Sequence, residues 1–438
     1  MGAAGGLILL DETVLGVALP SLRHDFGMSQ TTSHWVINAY FLAFAGVAAA
    51  GGKLADVIGL RRAMLSGLIV FGLASLAAGF AESTAWLIAA RVAQGLAAAV
   101  IFPGAIGMVT AIFPKEQHGS SFGTLASIGT AFLMAGPLVG GFFTEALSWR
   151  WIFWVNIPIV LAVSGAVLTV WTDPPRETAR PHFSPLELLL LLAGIGLIVV
   201  AIMQSGDWGW RDPVIPISLG TGLVALTLFA IVESRKETPL IDVVLFRDAG
   251  FTACAFVFFT GQFTKITVVV FVALYLQHIL GLSPLTAGLC LLVAMVGSPL
   301  LSTLAGKVAD KVGARRPALW GLTVATAGLL WVALFSDADS YALLVPGLAV
   351  WGLALPFCFI PAGHAVMNAV PPDKHGQASG IITTARLLGG TFAMAVGGSV
   401  LAATGSYRAV FLATCGVMAA AFLFGCFALK HRSANPSG

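Results

Sequence analysis

Charged side chains set inside long apolar runs are the residues of this chain best placed to do chemistry. Asp11 and Glu12 lie in the first such run, Arg91 in a later one, Lys265 near the midpoint of a third and Arg386 in a fourth. Asp11 stands ten residues into its run, or ~15 Å at ~1.5 Å per residue, which is the middle of a ~30 Å hydrocarbon layer. A carboxyl enclosed by apolar matter favours its protonated form, and one facing water or a cation favours its ionised form; a proton carrier needs both. Glu12 points about 100° further round a helix, so one of the two acids is secondary. Arg91 is permanently charged and must find carbonyls, water or an acid. Arg386 divides evenly between lining a cavity and packing. Asn38, Tyr40, Gln94, Gln262, His364 and Asn368 are uncharged polar groups in apolar runs, able to touch a substrate or to be satisfied within helix packing.

The elements that hold these groups are membrane helices. The 438 residues are 58% hydrophobic and 10% charged, with a mean hydropathy of +0.93, whereas soluble domains carry roughly 25% charged residues. Apolar runs of spanning length are expected near 2–22, 34–51, 63–81, 84–112, 119–144, 150–172, 184–204, 214–232, 250–277, 285–305, 317–335, 341–368, 376–404 and 407–429. The first run has no basic segment before it and no cleavage site after it, so it is read as a retained helix. With fourteen helices and the N-terminus inside, sixteen of the 23 Lys and Arg fall on the cytoplasmic side, four outside and three within helices. That bias places both termini in the cytoplasm. The five cysteines show neither paired nor metal-ligand spacing, so neither disulfide nor metal is expected. The basic residues sort by membrane side and form no nucleic-acid patch. Segment 239–247, preceded by Arg235 and Lys236, reads as a short interfacial connector.

The chain repeats itself. G-K-L-A-D-V-I-G-L-R-R (Gly52 to Arg62) recurs as G-K-V-A-D-K-V-G-A-R-R (Gly306 to Arg316) at an offset of 254. Gly95, Pro114, His118 and Gly119 recur as Gly352, Pro371, His375 and Gly376 at 257, and W-R-W-I-F (Trp149 to Phe153) recurs as Y-R-A-V-F at 258. The expected domains are therefore a six-helix bundle over 1–172, two inserted helices and a connector over 173–249, a second six-helix bundle over 250–430, and a tail over 431–438. Such repeats place a substrate site at their interface near mid-bilayer. The offset also sets Lys265 at the position of Asp11, which suggests an ion pair across the cleft, released by protonation of Asp11 or by substrate. Duplication of Gly52, Asp56, Gly59, Arg61 and Arg62 as Gly306, Asp310, Gly313, Arg315 and Arg316 argues for a charge-paired latch that holds one access state; membrane topology alone is the simpler alternative.

These motifs resemble the major facilitator superfamily, and within it the fourteen-helix drug:proton antiporters, over nearly the whole chain. Arg91, Gln94 and Gly95 resemble the R-x-x-Q-G motif that the family associates with proton coupling. Gly129, Gly136, Pro137, Gly140 and Gly141 fall in G-T-A-F-L-M-A-G-P-L-V-G-G, which resembles the antiporter motif; small residues at this spacing let helices approach closely and seal a leak path. L-D-E-T-V-L-G-V-A-L-P, W-R-W-I-F-W-V-N-I-P, P-L-I-D-V-V-L-F-R and Y-L-Q-H-I-L-G-L-S-P-L-T-A-G resemble elements of the fourteen-helix subgroup. Two positions depart: Val57 stands where the family has a basic residue, and Gly16 where the subgroup often has asparagine.

The resemblance implies an all-α polytopic membrane protein of the major facilitator fold, two pseudo-symmetric six-helix bundles plus two inserted helices, in a bacterial inner or plasma membrane. It implies proton-coupled efflux of amphipathic or hydrophobic small molecules by alternating access, with an importer or facilitator of a small metabolite as the rival reading. The expected partners are that substrate, protons and the lipid bilayer, with no nucleic acid; a monomer is expected, and accessory efflux proteins are left open. No cofactor is expected beyond the proton-motive force, since no G-x-x-x-x-G-K-[ST] loop is present to bind a nucleotide. No clustered nucleophile or pair of catalytic acids points to an enzyme.

Overall fold

The computed structural model describes residues 1–113, 118–172, 185–236, 239, 241, 243–369 and 375–428. Among these residues every regular element is a helix. The first half comprises α1 (Gly2–Phe26), α2 (Gln30–Ile58), α3 (Leu60–Gly79), α4 (Thr84–Ile112), α5 (His118–Ala146), and a sixth span split into α6 (Trp151–Trp154) and α7 (Asn156–Val170). A hairpin of α8 (Pro185–Trp208) and α9 (Val214–Ser234) follows. The second half opens with a span made of α10 (Ala249–Ile266), a π-helical segment (Thr267–Val272) and α11 (Ala273–His278). It continues through α12 (Pro284–Met295) and α13 (Gly297–Val312), α14 (Arg315–Phe335), α15 (Tyr341–Ala369), α16 (His375–Thr404) and α17 (Tyr407–Ala428). Among the described residues, thirteen helical stretches are long and apolar enough to cross a membrane. α2 is the further long helix, 29 residues, with His34 and Asn38 in its first turns.

Local chemistry sets the boundaries. Ser29, Ser83 and Asp248 cap α2, α4 and α10 by accepting from the N–H groups of Thr32, Trp86 and Phe251, each satisfying one orphan donor of the first turn. Two expected single helices are broken, each for the same reason. Pro158 leaves the carbonyl of Trp154 without a donor, and the chain turns at Val155; Pro299 does the same to Met295, and the chain turns at Val296. The connector at 239–247 contributes a 3-10 turn, Val243–Arg247, that leads directly into the cap of α10.

The chain divides into two compact units. One holds Met1–Leu240 with Leu282–Leu289, the other Ile241–Gly281 with Cys290–Gly438. Within the first, α1 packs chiefly on α5, α2 and α3 on α4, and α8 on α9 and α2. Within the second, α10 packs on α16, and α13 and α14 on α15. The repeat is visible in backbone detail. Gly59 and Gly313 close the α2–α3 and α13–α14 turns at φ 95° and 79°, a region that a side chain rarely allows. Gly95 faces the carbonyl of Tyr40, and Gly352 that of Ala294, so each half seats the same two helices at backbone distance.

Candidate functional site

Asp11 meets Arg91 inside the first unit. The Arg91 Nη1 donates to Asp11 Oδ2 at 2.6 Å, and both side chains are buried. Its Nε donates to the carbonyl of Val36 at 3.0 Å, and Nη1 also reaches Gln94 Oε1 at 2.8 Å. Gln94 then donates through Nε2 to Ser75 Oγ at 2.8 Å, and Asn156 Nδ2 donates to the same oxygen at 3.3 Å. The result is an open polar ring joining α1, α4, α3 and α7. The guanidinium lies over the Tyr40 ring, 4.3 Å from its centroid, and the Tyr40 hydroxyl reaches the carbonyl of Ile8 at 3.4 Å. A charge withdrawn from water needs an opposite charge and hydrogen bonds, and Arg91 has Asp11, the carbonyl of Val36 and Gln94. Asp11 Oδ1 accepts no hydrogen bond among the described residues. It is the ring's open acceptor.

The repeat offset proposed Lys265 as the cation on Asp11 across the two units; within its own unit Asp11 pairs with Arg91, a partner the offset did not name. Glu12 is buried beside Asp11.

The glycine motif of α5 packs on the helix that carries Asp11. A Cβ at Gly129 would press on Leu9, at Gly136 on Thr13, and at Gly140 on the backbone of Val14. Thr13 Oγ1 completes the contact by donating to the carbonyl of Leu133 at 3.0 Å. On its other face, Gly141 meets the backbone of Pro284 and Leu285, and the carbonyl of Pro137 lies against Gly288. Helix 1 is thus gripped at backbone distance beside its ionisable residue.

The remaining expected residues divide. Gln94 and Tyr40 belong to the ring and its cover. Asn38 is buried and donates to Met203 Sδ at 2.8 Å, which ties α2 to the inserted α8. In the second unit, Arg386 Nη1 donates to Gln262 Oε1 at 3.3 Å, so these two expected cavity residues come together. Lys265 is half-buried on the last turn of α10, just before the π-helical segment; such segments often mark functional sites. The side chains of Asp56, His364 and Asn368 lie outside the described residues. Arg61 and Arg315 each donate to a backbone carbonyl at the end of their own half's last helix, Leu168 at 2.7 Å and Cys426 at 2.9 Å. Gly52 and Gly306 sit in α2 and α13 one turn or more before those arginines' loops; Arg62, Asp310 and Arg316 lie at the same ends. Two ring members, Ser75 and Asn156, escaped the sequence reading. Asn156 stood inside the quoted W-R-W-I-F-W-V-N-I-P; Ser75 carried no signal, because a lone helical serine satisfies itself on its own backbone.

Comparison with known proteins agrees with the repeat. The Major Facilitator Superfamily profile matches residues 1–188 and 251–438. Multidrug resistance protein Stp of Mycobacterium tuberculosis is 34% identical over 401 residues, covering 91% of this chain and 74% of that protein. Cephamycin export protein CmcT of Amycolatopsis lactamdurans is 35% identical over 413 residues, covering 91% and 83%. Among solved structures, a bacterial homologue of the human lysosomal transporter Spinster, inward-facing and unoccupied, superposes with a TM-score of 0.70 at 15% identity, covering 100% of this chain and 97% of that one. With a profile matched across both halves and relatives aligned over nine tenths of its length, this multi-pass membrane protein belongs to the Major Facilitator Superfamily.

Proposed function

We infer that the chain is a secondary transporter that exports amphipathic or hydrophobic small molecules in exchange for protons. The buried Asp11–Arg91 pair supports this reading, because it holds one titratable group against its counter-charge away from water, the property a membrane proton carrier needs. When Asp11 takes a proton, the ion pair loses its negative member. Arg91 keeps the Val36 carbonyl and Gln94, so protonation weakens the ring at the Asp11–Arg91 contact and leaves its other bonds in place. The names of Stp and CmcT, a multidrug resistance protein and a cephamycin exporter, support export over import.

On this reading the division at 1–172, 173–249 and 250–430 separates two rocking bundles from an inserted pair. Both termini face the cytoplasm of a bacterial inner or plasma membrane, as the basic-residue bias favours. The proton-motive force is the only drive. One charge moved through 100 mV is worth ~2.3 kcal/mol and a tenfold gradient costs ~1.4 kcal/mol, so one proton holds a neutral substrate at roughly a fortyfold gradient.

The test is substrate-dependent proton release from everted vesicles, across a compound panel, for wild type and Asp11→Asn. The wild type should release protons with at least one exported compound, and Asp11→Asn should not. Substrate uptake by the wild type with no proton movement would sink the antiport reading.

A further inference from the structure

We propose that the second half carries a built site for one anionic phospholipid, on the face of α13, α14 and α15. A groove of about 580 Å³ runs between these helices, lined by Leu301, Val312, Trp320, Val324, Val350 and Phe357, with Arg316 at one end. Every lining side chain but that arginine is apolar or aromatic. Leu301 and Val312 are eleven residues apart on α13, so the groove extends about 16 Å along the helix. One leaflet contributes about half of the ~30 Å hydrocarbon thickness. The groove therefore has the length of one acyl chain's leaflet, and its charged end falls where a headgroup lies.

Three observations select the headgroup. Arg316 is exposed and makes no ion pair with a described residue, in contrast to Arg315 beside it, which is tied to the carbonyl of Cys426. A guanidinium fork matches phosphate geometry. Next, α14 begins without a side-chain cap, so the positive end of its dipole lies at the same mouth. Finally, Lys307, Lys311, Arg315 and Arg316 face only Asp310 in the sequence from 307 to 316, and basic clusters of this kind between membrane helices hold anionic headgroups. Trp320 stands one turn beyond Arg316, 72% exposed, in the manner of an aromatic at the headgroup boundary. The offset of 254 gives the first half Arg62 and Ser66 at these two positions. The arginine is duplicated there and the aromatic wall is not.

The experiment titrates the purified full chain in detergent with phosphatidylglycerol or phosphatidylethanolamine of matched acyl chains, and counts bound lipids by native mass spectrometry. Wild type should bind one phosphatidylglycerol with a preference of about fivefold or more, the contribution of a single basic side chain near a membrane surface. Arg316→Gln should erase the preference, and Val350→Trp, which fills the groove away from the charges, should weaken both lipids. Arg62→Gln should keep the wild-type preference. Equal binding of the two lipids by wild type would overturn the site, as would a preference that survives Arg316→Gln or binding that ignores Val350→Trp.

Discussion

The two halves share a scaffold and differ at its centre. At offsets of 254 and 257, the ring positions Ser75, Arg91 and Gln94 become Leu329, Leu348 and Trp351, all buried. Asn156 keeps a polar counterpart at 258, Thr414, which donates to the carbonyl of Val410 on its own helix, and Asp11 has a charged one at 254, Lys265. Meanwhile the backbone contacts of Gly95 and Gly352, and the carbonyls held by Arg61 and Arg315, are the same in both. Duplication thus preserved what fixes helix positions and let one copy exchange the arginine and its polar neighbours for apolar packing. A second buried ion pair would have added a desolvation cost that apolar packing avoids.

The largest test of this contrast replaces the pair itself by apolar side chains. Asp11→Leu and Arg91→Leu should each lose about 3–5 kcal/mol of stability, because each strands a buried charge, while the double variant should recover most of it and remain unable to couple protons. Thermal unfolding in detergent measures the first part and vesicle proton release the second. A double variant as unstable as either single would mean that the ring is part of the scaffold and that the contrast is false.

Next in size is the glycine motif. Gly140 and Gly397 are equivalent at 257, but the first faces the backbone of Val14 and the second the ring of Phe271. Gly140→Ala should cost about 1–3 kcal/mol, since neither backbone can yield, and Gly397→Ala less; equal losses would remove the asymmetry. Smaller still is Ser75→Ala, about 1 kcal/mol for an acceptor that two amides share, with a shifted pH dependence of coupling as the readout that packing alone would not move. Thr414→Val should fall below that, because its remaining contact, Thr267 Oγ1, is distant at 3.5 Å.

The helices were legible because hydrocarbon leaves a chain few alternatives: each apolar run long enough to cross must satisfy its backbone internally. What composition alone does not display is where prolines break such runs, although Pro158 and Pro299 were present to be read. Charged ring members stood out by type, as Asp11 and Arg91 did. Their pairing did not, because an offset between repeats reports equivalent positions and says nothing about which helices within one bundle come close. Arg91 reaches Asp11 across 80 residues of chain, a distance only packing can close. Gln262 and Arg386, read one by one as polar groups in apolar runs, meet in the second unit. Asn38 was drawn instead to Met203 on the inserted hairpin, an element outside the repeat and therefore invisible to it.

The arginine-to-carbonyl contacts at Leu168 and Cys426 have a mechanical meaning. Each signature loop, which joins the second and third spans of its half, is strapped to that half's closing helix. A force applied at the loop is then delivered across the whole bundle without passing through the side-chain interior. Each bundle answers such a force as a single block, and its short loop serves as the handle.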